Sequence, residues 1–230
     1  MPEAVLSIVI PTRNAATLLP GCLGALGEAQ QSGLLRQIII ADGGGCAETV
    51  EIGHGFGASV FAAPSGRGPQ LIAGAARSSG DWLLFLHADT RLENGWSREV
   101  AAFLAQAGAE EKAATFRLRL DDAAPQARRI EQLANWRSRK LGLPYGDQGL
   151  LISRRLYDAV GGFRPHALME DVDIVRRLGK RRLTQLDSAA VTSAVRYRRD
   201  GWWLRPLRNL ALLTLYFAGL PPRWLARLYG

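Results

Sequence analysis

The chain has 230 residues, of which 47% are hydrophobic, so it is long enough to form one sizeable α/β domain around its own core. Cys22 and Cys46 show neither CxxC spacing nor a paired framework, which argues against a disulfide or a zinc site and favours a reducing compartment. The net charge is +8, but no motif that reads nucleic acid accompanies the basic residues, so we expect no nucleic-acid partner.

Apolar runs typical of strands alternate with helical patterns through the first half of the chain. In order, the sequence predicts strand 6–10, helix 15–31, strand 37–41, a helix from residue 46, strand 58–63, helix 69–77 and strand 82–86. The N-terminal residues lack a basic segment and a small-residue cleavage site, so we expect a first strand, no signal peptide and a cytoplasmic protein. The alternation implies right-handed crossovers and a mostly parallel sheet flanked by helices.

The second half of the chain combines further elements with a basic end. We expect helix 95–108, strand 113–120, an arginine-rich helix 125–141, an ordered loop 142–149, strand 150–153 and a helix that opens at Glu170 and Asp171. Residues 1–200 are predicted to form the domain, and residues 201–230 a basic, aromatic, helical tail. The tail is too short in apolar sequence to span a bilayer. Packing on the domain or in a homodimer interface, and contact with a membrane surface, stay open as its roles.

Three polar or glycine-rich loops follow predicted strands, at residues 11–14, 42–45 and 87–90. The C-terminal ends of parallel strands meet at one edge of a sheet, where α/β folds bind their ligands, so we expect a cleft there. Asp42 has an acceptor-only side chain that suits a base or ribose hydroxyls, although it could instead cap the next helix. Asn14 has the same two options, and we favour a helix cap.

The other candidate site residues are Arg67, Asp89 and the adjacent pair Glu170 and Asp171. Arg67 lies in a glycine-flanked loop before a helix and suits phosphate oxygens, although an exposed turn arginine is an equal alternative. Asp89 follows an apolar strand and suits Mg²⁺ or Mn²⁺, which need few protein carboxylates; the alternative is a turn cap. Glu170 and Asp171 either partner the helix dipole or supply a base, and their spacing does not choose between them. His87 is expected to line the site without binding metal.

These residues belong to longer motifs that together resemble a known family. The most specific are Phe-Leu-His-Ala-Asp-Thr at 85–90, Leu-Pro-Tyr-Gly-Asp-Gln-Gly at 143–149, and Gly-Gly-Phe at 161–163 followed by Met-Glu-Asp at 169–171. With residues 7–14 they resemble glycosyltransferase family 2, which has the GT-A fold, and within it the small bacterial group labelled glycosyltransferases of arsenosugar biosynthesis. The resemblance covers nearly the whole chain.

The resemblance implies an inverting enzyme that uses a nucleotide-sugar donor and Mn²⁺ or Mg²⁺. Asp89 takes the place of the metal-binding acid of the family's Asp-x-Asp motif, and Asp171 the place of its catalytic base, with Glu170 beside it. The implied nucleotide-sugar side comprises Pro11, Thr12, Asn14, Asp42, Arg67, His87 and Ala88. The implied acceptor side comprises Gly146, Asp147 and Gln148. No Gln-x-x-Arg-Trp motif is present, which favours transfer of a single sugar over polymer extension.

The sequence departs from the family pattern at two places. His87 replaces the first acid of Asp-x-Asp, and Gly45-Cys46-Ala47 replaces a Ser-x-Asp run. A catalytically silent nucleotide-sugar binder therefore stays as an alternative function. A nucleotidyltransferase of similar fold is disfavoured, because residues 11–14 lack its glycine-rich, lysine-bearing loop. The acceptor is unidentified, and a lipid-linked acceptor would agree with membrane contact through the tail at the inner face of the cell membrane.

Overall fold

The computed structural model describes residues 4–229. Its strands are β1 (Leu6–Thr12), β2 (Leu35–Asp42), β3 (Ser59–Ala62), β4 (Trp82–Phe85), β5 (Thr90–Leu92), β6 (Ala113–Leu120), β7 (Leu150–Ser153) and β8 (Leu183–Thr192). Its α-helices are α1 (Leu19–Gln31), α2 (Ala47–Gly55), α3 (Arg67–Arg77), α4 (Trp96–Leu104), α5 (Pro125–Leu141), α6 (Arg154–Ala159), α7 (Glu170–Leu178), α8 (Val195–Asp200), α9 (Leu204–Phe217) and α10 (Pro222–Tyr229). Three short 3-10 turns lie at Ala109–Glu111, Gly146–Gln148 and Lys180–Arg182.

Across the described residues the strands form one sheet in the order β3-β2-β1-β4-β7-β6-β8-β5. β1 to β4 pair in parallel, β7 is antiparallel to β4 and β6, β8 is parallel to β6, and β5 is antiparallel to β8. The predicted α/β class with a mostly parallel sheet is therefore confirmed. β5 and β8 were not predicted from the sequence.

The core lies on both faces of the sheet because side chains alternate along each buried strand. Ile8 and Ile10 pack with α1 and α4 on one face, whereas Val9 packs with α3 and α7 on the other. Leu84 and Phe85 of β4 divide between the same two clusters. With helices covering both faces, the loops at the strand ends remain the accessible part of this half of the sheet.

The start of α1 differs from the prediction. The helix begins at Leu19, not at Ala15, and no side chain caps it, so the expected Asn14 cap is wrong. Pro20 explains the difference, since proline fits the first turn of a helix and would break a hydrogen bond further inside. Asn14 is instead exposed and left-handed, with φ of 52°.

Two other expectations concern the cysteines and the membrane. Cys22 and Cys46 are free thiols, and burial raises the pKa of the Cys22 thiol, which makes it a poor nucleophile. None of the helices within residues 4–229 combines the length and the apolar character that crossing a bilayer requires.

Candidate active site

A cleft opens where the loop after β4 meets the end of β8. Its lining includes six residues that the sequence singled out: Arg67, His87, Asp89, Gly146, Asp147 and Asp171. Asp89 comes from the loop after β4, and Asp171 from the first turn of α7. Folding therefore brings Asp89 and Asp171, which are distant in sequence, to one cleft.

α8 and the first helix of the tail, α9, form another wall of this cleft, which the sequence did not reveal. The lining residues from these two helices are Arg196, Tyr197, Arg205, Asn209 and Leu212. α9 also contacts α7, since the Arg176 guanidinium lies 4.7 Å from the centre of the Phe217 ring. The arginine-rich composition after β8 was the available signal, but composition does not tell which helix face meets the domain.

Asp171 is held in a defined orientation by two backbone groups. The Gly146 N–H donates to Oδ2 at 2.7 Å, and the Val172 N–H donates to Oδ1 at 2.8 Å. A carboxylate has about four lone-pair positions, so each oxygen can accept a further hydrogen bond. The arrangement leaves Asp171 able to receive a proton from a hydroxyl in the cleft.

Gly146 lies where His87 and Asp171 come together. A Cβ on Gly146 would be 2.7 Å from His87 Nε2 and 3.4 Å from Asp171 Oδ2. Burial, together with the charges of Arg67 and Arg196, lowers the pKa of His87 well below its ordinary value, so the ring is neutral near pH 7. A neutral ring beside the carboxylate leaves the negative charge of Asp171 uncompensated by histidine.

We expect Gly146→Ala to lower catalytic activity by about 10²-fold, because an error of about 1 Å in the position of a catalytic group has effects of that size. The added methyl would displace the His87 ring, while the backbone at residue 146 lies outside the left-handed region and accepts alanine. The matched control is Gly24→Ala in α1, where a Cβ meets nothing within 4 Å. Equal activity of both variants and the parent would contradict the close packing.

Glu170 is 1% exposed and is not part of the lining of this cleft. Its Oε1 accepts from Arg67 Nη1 at 3.2 Å, whereas Oε2 is buried and has no hydrogen-bond partner among the described residues. Burial raises its pKa to about 7, the neighbouring Asp171 charge acts in the same direction, and Arg67 opposes both. Glu170 thus anchors Arg67 beside the cleft, and Asp171 is the acid that lines it.

A raised carboxyl pKa means that the folded protein binds the Glu170 proton more tightly than the unfolded chain does. Its contribution to stability is therefore fully present below pH 4.5 and is lost as the pH rises to about 7. Glu170→Gln removes this titration. We expect the free energy of unfolding of the parent, relative to Glu170→Gln, to fall by up to about 3 kcal/mol across that window. Urea unfolding at pH 4, 5, 6, 7 and 8 measures it, and a constant difference would contradict the burial of Glu170.

Asp147 also lines the cleft, and Gln148 supports it from below. Burial raises the pKa of Asp147 to about 6, with Asp171 and Asp89 adding to the effect and Arg137 and Arg67 opposing it. Its buried Oδ1 has no hydrogen-bond partner among the described residues.

Gln148 is 0% exposed and does not reach the cleft surface. Its Oε1 accepts from the Ser138 hydroxyl at 2.6 Å, and its Nε2 donates to Phe116 O at 3.0 Å. Gln148 therefore fixes the turn that presents Gly146 and Asp147.

The last residues of β1 and β2, Thr12 and Asp42, are tied to each other and do not belong to the lining of the cleft. Asp42 Oδ1 accepts from the Thr12 hydroxyl at 2.9 Å, and Oδ2 accepts from the Gly45 N–H at 2.7 Å and the Cys46 N–H at 3.3 Å. The Asp42 carboxylate thus organises its own loop. Pro11 and Ala88 are half-buried at the same edge.

Gln70 is a supporting residue that the sequence did not single out. It is buried in α3, and its Nε2 donates to Thr12 O at 2.6 Å and to Ala41 O at 2.7 Å. A polar side chain between Pro69 and Leu71, on the face of α3 that packs on the sheet, was the signal for it.

Few side chains of the cleft could act as ligands of a metal ion. No cluster of three or more His, Cys, Asp or Glu side chains within the described residues could hold a metal ion by protein ligands alone. Asp89 is half-buried and faces the cleft. One carboxylate fits Mg²⁺ or Mn²⁺, which are often bound through one or two protein carboxylates together with substrate phosphates and water. Asp89 therefore fits a cation that arrives with a phosphate-bearing ligand.

The sheet, the flanking helices and the cleft at the strand ends together define a GT-A type α/β protein. The model of the family described as "Glycosyl transferase family 2" matches residues 7–176. The chain belongs to glycosyltransferase family 2. Curated relatives include PGL/p-HBAD biosynthesis glycosyltransferases of Mycobacterium bovis and Mycobacterium tuberculosis, each 32% identical over 114 residues. The match spans 46% of this chain and 44% of each relative, so it covers less than half of their length.

Solved structures share the fold at low sequence identity. Glucosyl-3-phosphoglycerate synthase from Mycobacterium tuberculosis, crystallised with Mn²⁺, UDP and glucosyl-3-phosphoglycerate, is 20% identical with a TM-score of 0.59, over 83% of this chain and 70% of that chain. Mannosyl-3-phosphoglycerate synthase from Rubrobacter xylanophilus is 18% identical with a TM-score of 0.62, over 93% and 72%. None of these names refers to arsenosugar biosynthesis, so that subgroup stays a prediction.

Proposed function

We propose that the protein transfers a single sugar from a nucleoside diphosphate sugar to an acceptor hydroxyl, with inversion at the anomeric carbon. The observation that carries the proposal is that Asp89 and Asp171, from distant parts of the chain, line one cleft. Family membership supports the class of reaction. The two carboxylates support its division into a donor side and an acceptor side.

In the proposed reaction the acceptor oxygen forms a bond to the anomeric carbon while the bond from that carbon to the diphosphate oxygen breaks. Asp171 takes the hydroxyl proton on one of its carboxylate oxygens. The Gly146 and Val172 N–H groups keep that carboxylate turned toward the acceptor. Gly146 and Asp147 form the acceptor side, with Gln148 beneath them, and Glu170 acts by holding Arg67.

On the donor side, we assign the contact with phosphate oxygens to Arg67, and its place in the lining of the cleft supports this. Asp89 would hold Mn²⁺ or Mg²⁺, and such a cation neutralises charge that develops on a departing diphosphate. The glucosyl-3-phosphoglycerate synthase crystallised with Mn²⁺ and UDP supports this choice by analogy of fold. We place the nucleoside against the loops after β1 and β2, near Pro11, Thr12, Asn14 and Asp42, and the sugar diphosphate near His87 and Ala88.

The proposal is tested by a screen of nucleoside diphosphate sugars with the whole chain. Thermal unfolding is measured with each sugar in the presence and absence of Mn²⁺, and donors that stabilise the protein are then tested for slow hydrolysis. We expect one donor to raise the melting temperature only together with Mn²⁺ and to be hydrolysed. The absence of any stabilising donor would contradict the proposal.

A catalytically silent nucleotide-sugar binder is the second candidate, favoured by the histidine at position 87 in place of an acid. It predicts donor binding in the same screen with no hydrolysis and no transfer to any acceptor. Hydrolysis of a bound donor that depends on Asp171 would exclude it.

The proposal extends to the acceptor and to the place of reaction. We propose a lipid-linked acceptor, met in the cytoplasm at the inner face of the cell membrane. The position of the tail helices beside the acceptor side of the cleft supports this.

A further inference from the structure

α9 has two faces of unusual character. One side packs on the protein and lines the cleft through Arg205, Asn209 and Leu212. The opposite side is exposed and apolar: Leu207 is 60% exposed and Leu210 is 58% exposed. Contact between water and an apolar surface is unfavourable, so an exposed apolar surface of this kind usually marks a docking site.

The segments that flank α9 carry further exposed aromatic side chains and exposed positive charge. Trp203 precedes α9 and is 59% exposed, and Trp224 of α10 is 47% exposed. Arg223 and Arg227 are exposed on α10, and the Arg227 guanidinium lies 4.8 Å from the centre of the Trp224 ring. We give the name tail face to eight exposed residues of this region: Trp203, Leu204, Leu207, Leu210, Arg223, Trp224, Arg227 and Leu228.

The charge of the tail face indicates which kind of surface it binds. The tail face carries two arginines, Arg223 and Arg227, and neither aspartate nor glutamate. In a two-fold dimer the same patch meets itself, so the arginines of one copy would lie near those of the other. A bilayer that contains anionic lipid offers the complementary charge. It also offers an interface in which tryptophan rings are favoured and leucines can be buried.

We infer that the tail face lies on an anionic membrane surface, so that α9 separates the bilayer from the cleft. The inference rests on the proposed function only for its consequence, which is that a lipid-linked acceptor can present its hydroxyl to Asp171 without leaving the bilayer. The surface itself is defined by burial and charge and does not depend on catalysis.

Cosedimentation of the whole chain with vesicles tests the inference. One set of vesicles contains phosphatidylcholine alone, and the other contains phosphatidylcholine with phosphatidylglycerol. We expect binding to the anionic vesicles, weakened by salt, and little binding to the neutral ones. Arg223→Gln combined with Arg227→Gln should weaken binding about 25-fold, since each arginine near an anionic surface contributes roughly a factor of five.

Leu207→Gln combined with Leu210→Gln should also abolish most of the binding. Leu133→Gln on α5 is the control, because Leu133 is equally exposed, at 62%, but lies outside the tail face. Equal binding of all variants, or no binding by the parent, would overturn the inference. So would a stable dimer that the Leu207→Gln, Leu210→Gln variant converts to monomer.

Hydrolysis of the donor without acceptor separates this inference from the proposed function. Residues of the tail face chosen for substitution do not line the cleft, so hydrolysis should persist in each variant. If the parent hydrolyses the donor but does not bind vesicles, the inference of membrane contact is wrong and the proposed function stands. If the parent binds vesicles but no donor, the proposed function is wrong and the inference of membrane contact stands.

Discussion

Asp171→Asn should lower sugar transfer by about 10² to 10⁴-fold, the range typical for loss of a general base. Asparagine has nearly the same shape and can still accept the Gly146 N–H, so the turn beside it should be preserved. Its amide cannot take a proton from the acceptor hydroxyl. Donor binding should change little, because Arg67 and Asp89 remain. Initial rates of transfer, measured with donor affinity from thermal shift, give both quantities.

The matched control for Asp171→Asn is Asp158→Asn, which changes an exposed carboxylate on α6. It should leave the transfer rate at the parent level. A transfer rate of Asp171→Asn equal to that of the parent would show that Asp171 is not the general base. Loss of donor binding in Asp171→Asn would instead assign this residue to the donor side.

Asp89→Asn should abolish the stabilisation that donor and Mn²⁺ give together. A ligand present at about 100 times its Kd stabilises the folded state by about 2.7 kcal/mol, which corresponds to roughly 5–10 °C in Tm for a chain of this size. Neutral asparagine is a much weaker ligand for a divalent cation than a carboxylate is. We therefore expect the parent to show a shift of this size and Asp89→Asn to show almost none.

The matched control for Asp89→Asn is Asp81→Asn, at the other end of β4. Asp81 precedes this strand and is exposed, whereas Asp89 follows it and lines the cleft. Asp81→Asn should keep the full shift with donor and Mn²⁺. A parental shift in Asp89→Asn, or binding of Mn²⁺ at unchanged affinity by isothermal titration, would show that the cation is held elsewhere.

The sequence predicts well those features that depend on local pattern. The nearly continuous apolar runs of β1 and β4 follow directly from burial on both faces of the sheet. The loops after these strands then meet at one edge, because parallel strands share a direction. Pro20 also marks the start of α1, because proline fits only the first turn of a helix.

Features that depend on distant contacts could not be read from the sequence. Glu170 and Asp171 are neighbours of the same chemical type, and only the packing of α7 turns Glu170 inward to Arg67 and Asp171 toward Gly146. The tail is a second example. Its arginines suggest a partner of opposite charge, but which residues of α9 face the cleft depends on how the helix rests on the domain.

The most direct test of the account is a crystal structure of the chain with Mn²⁺ and the nucleoside diphosphate sugar that the thermal screen selects. We predict that Asp89 would hold the cation. We also predict that the Asp171 carboxylate lies across the anomeric carbon from the diphosphate, within reach of an acceptor hydroxyl. A sugar diphosphate bound outside this cleft, or placed with both carboxylates on the same side of the sugar, would contradict the account.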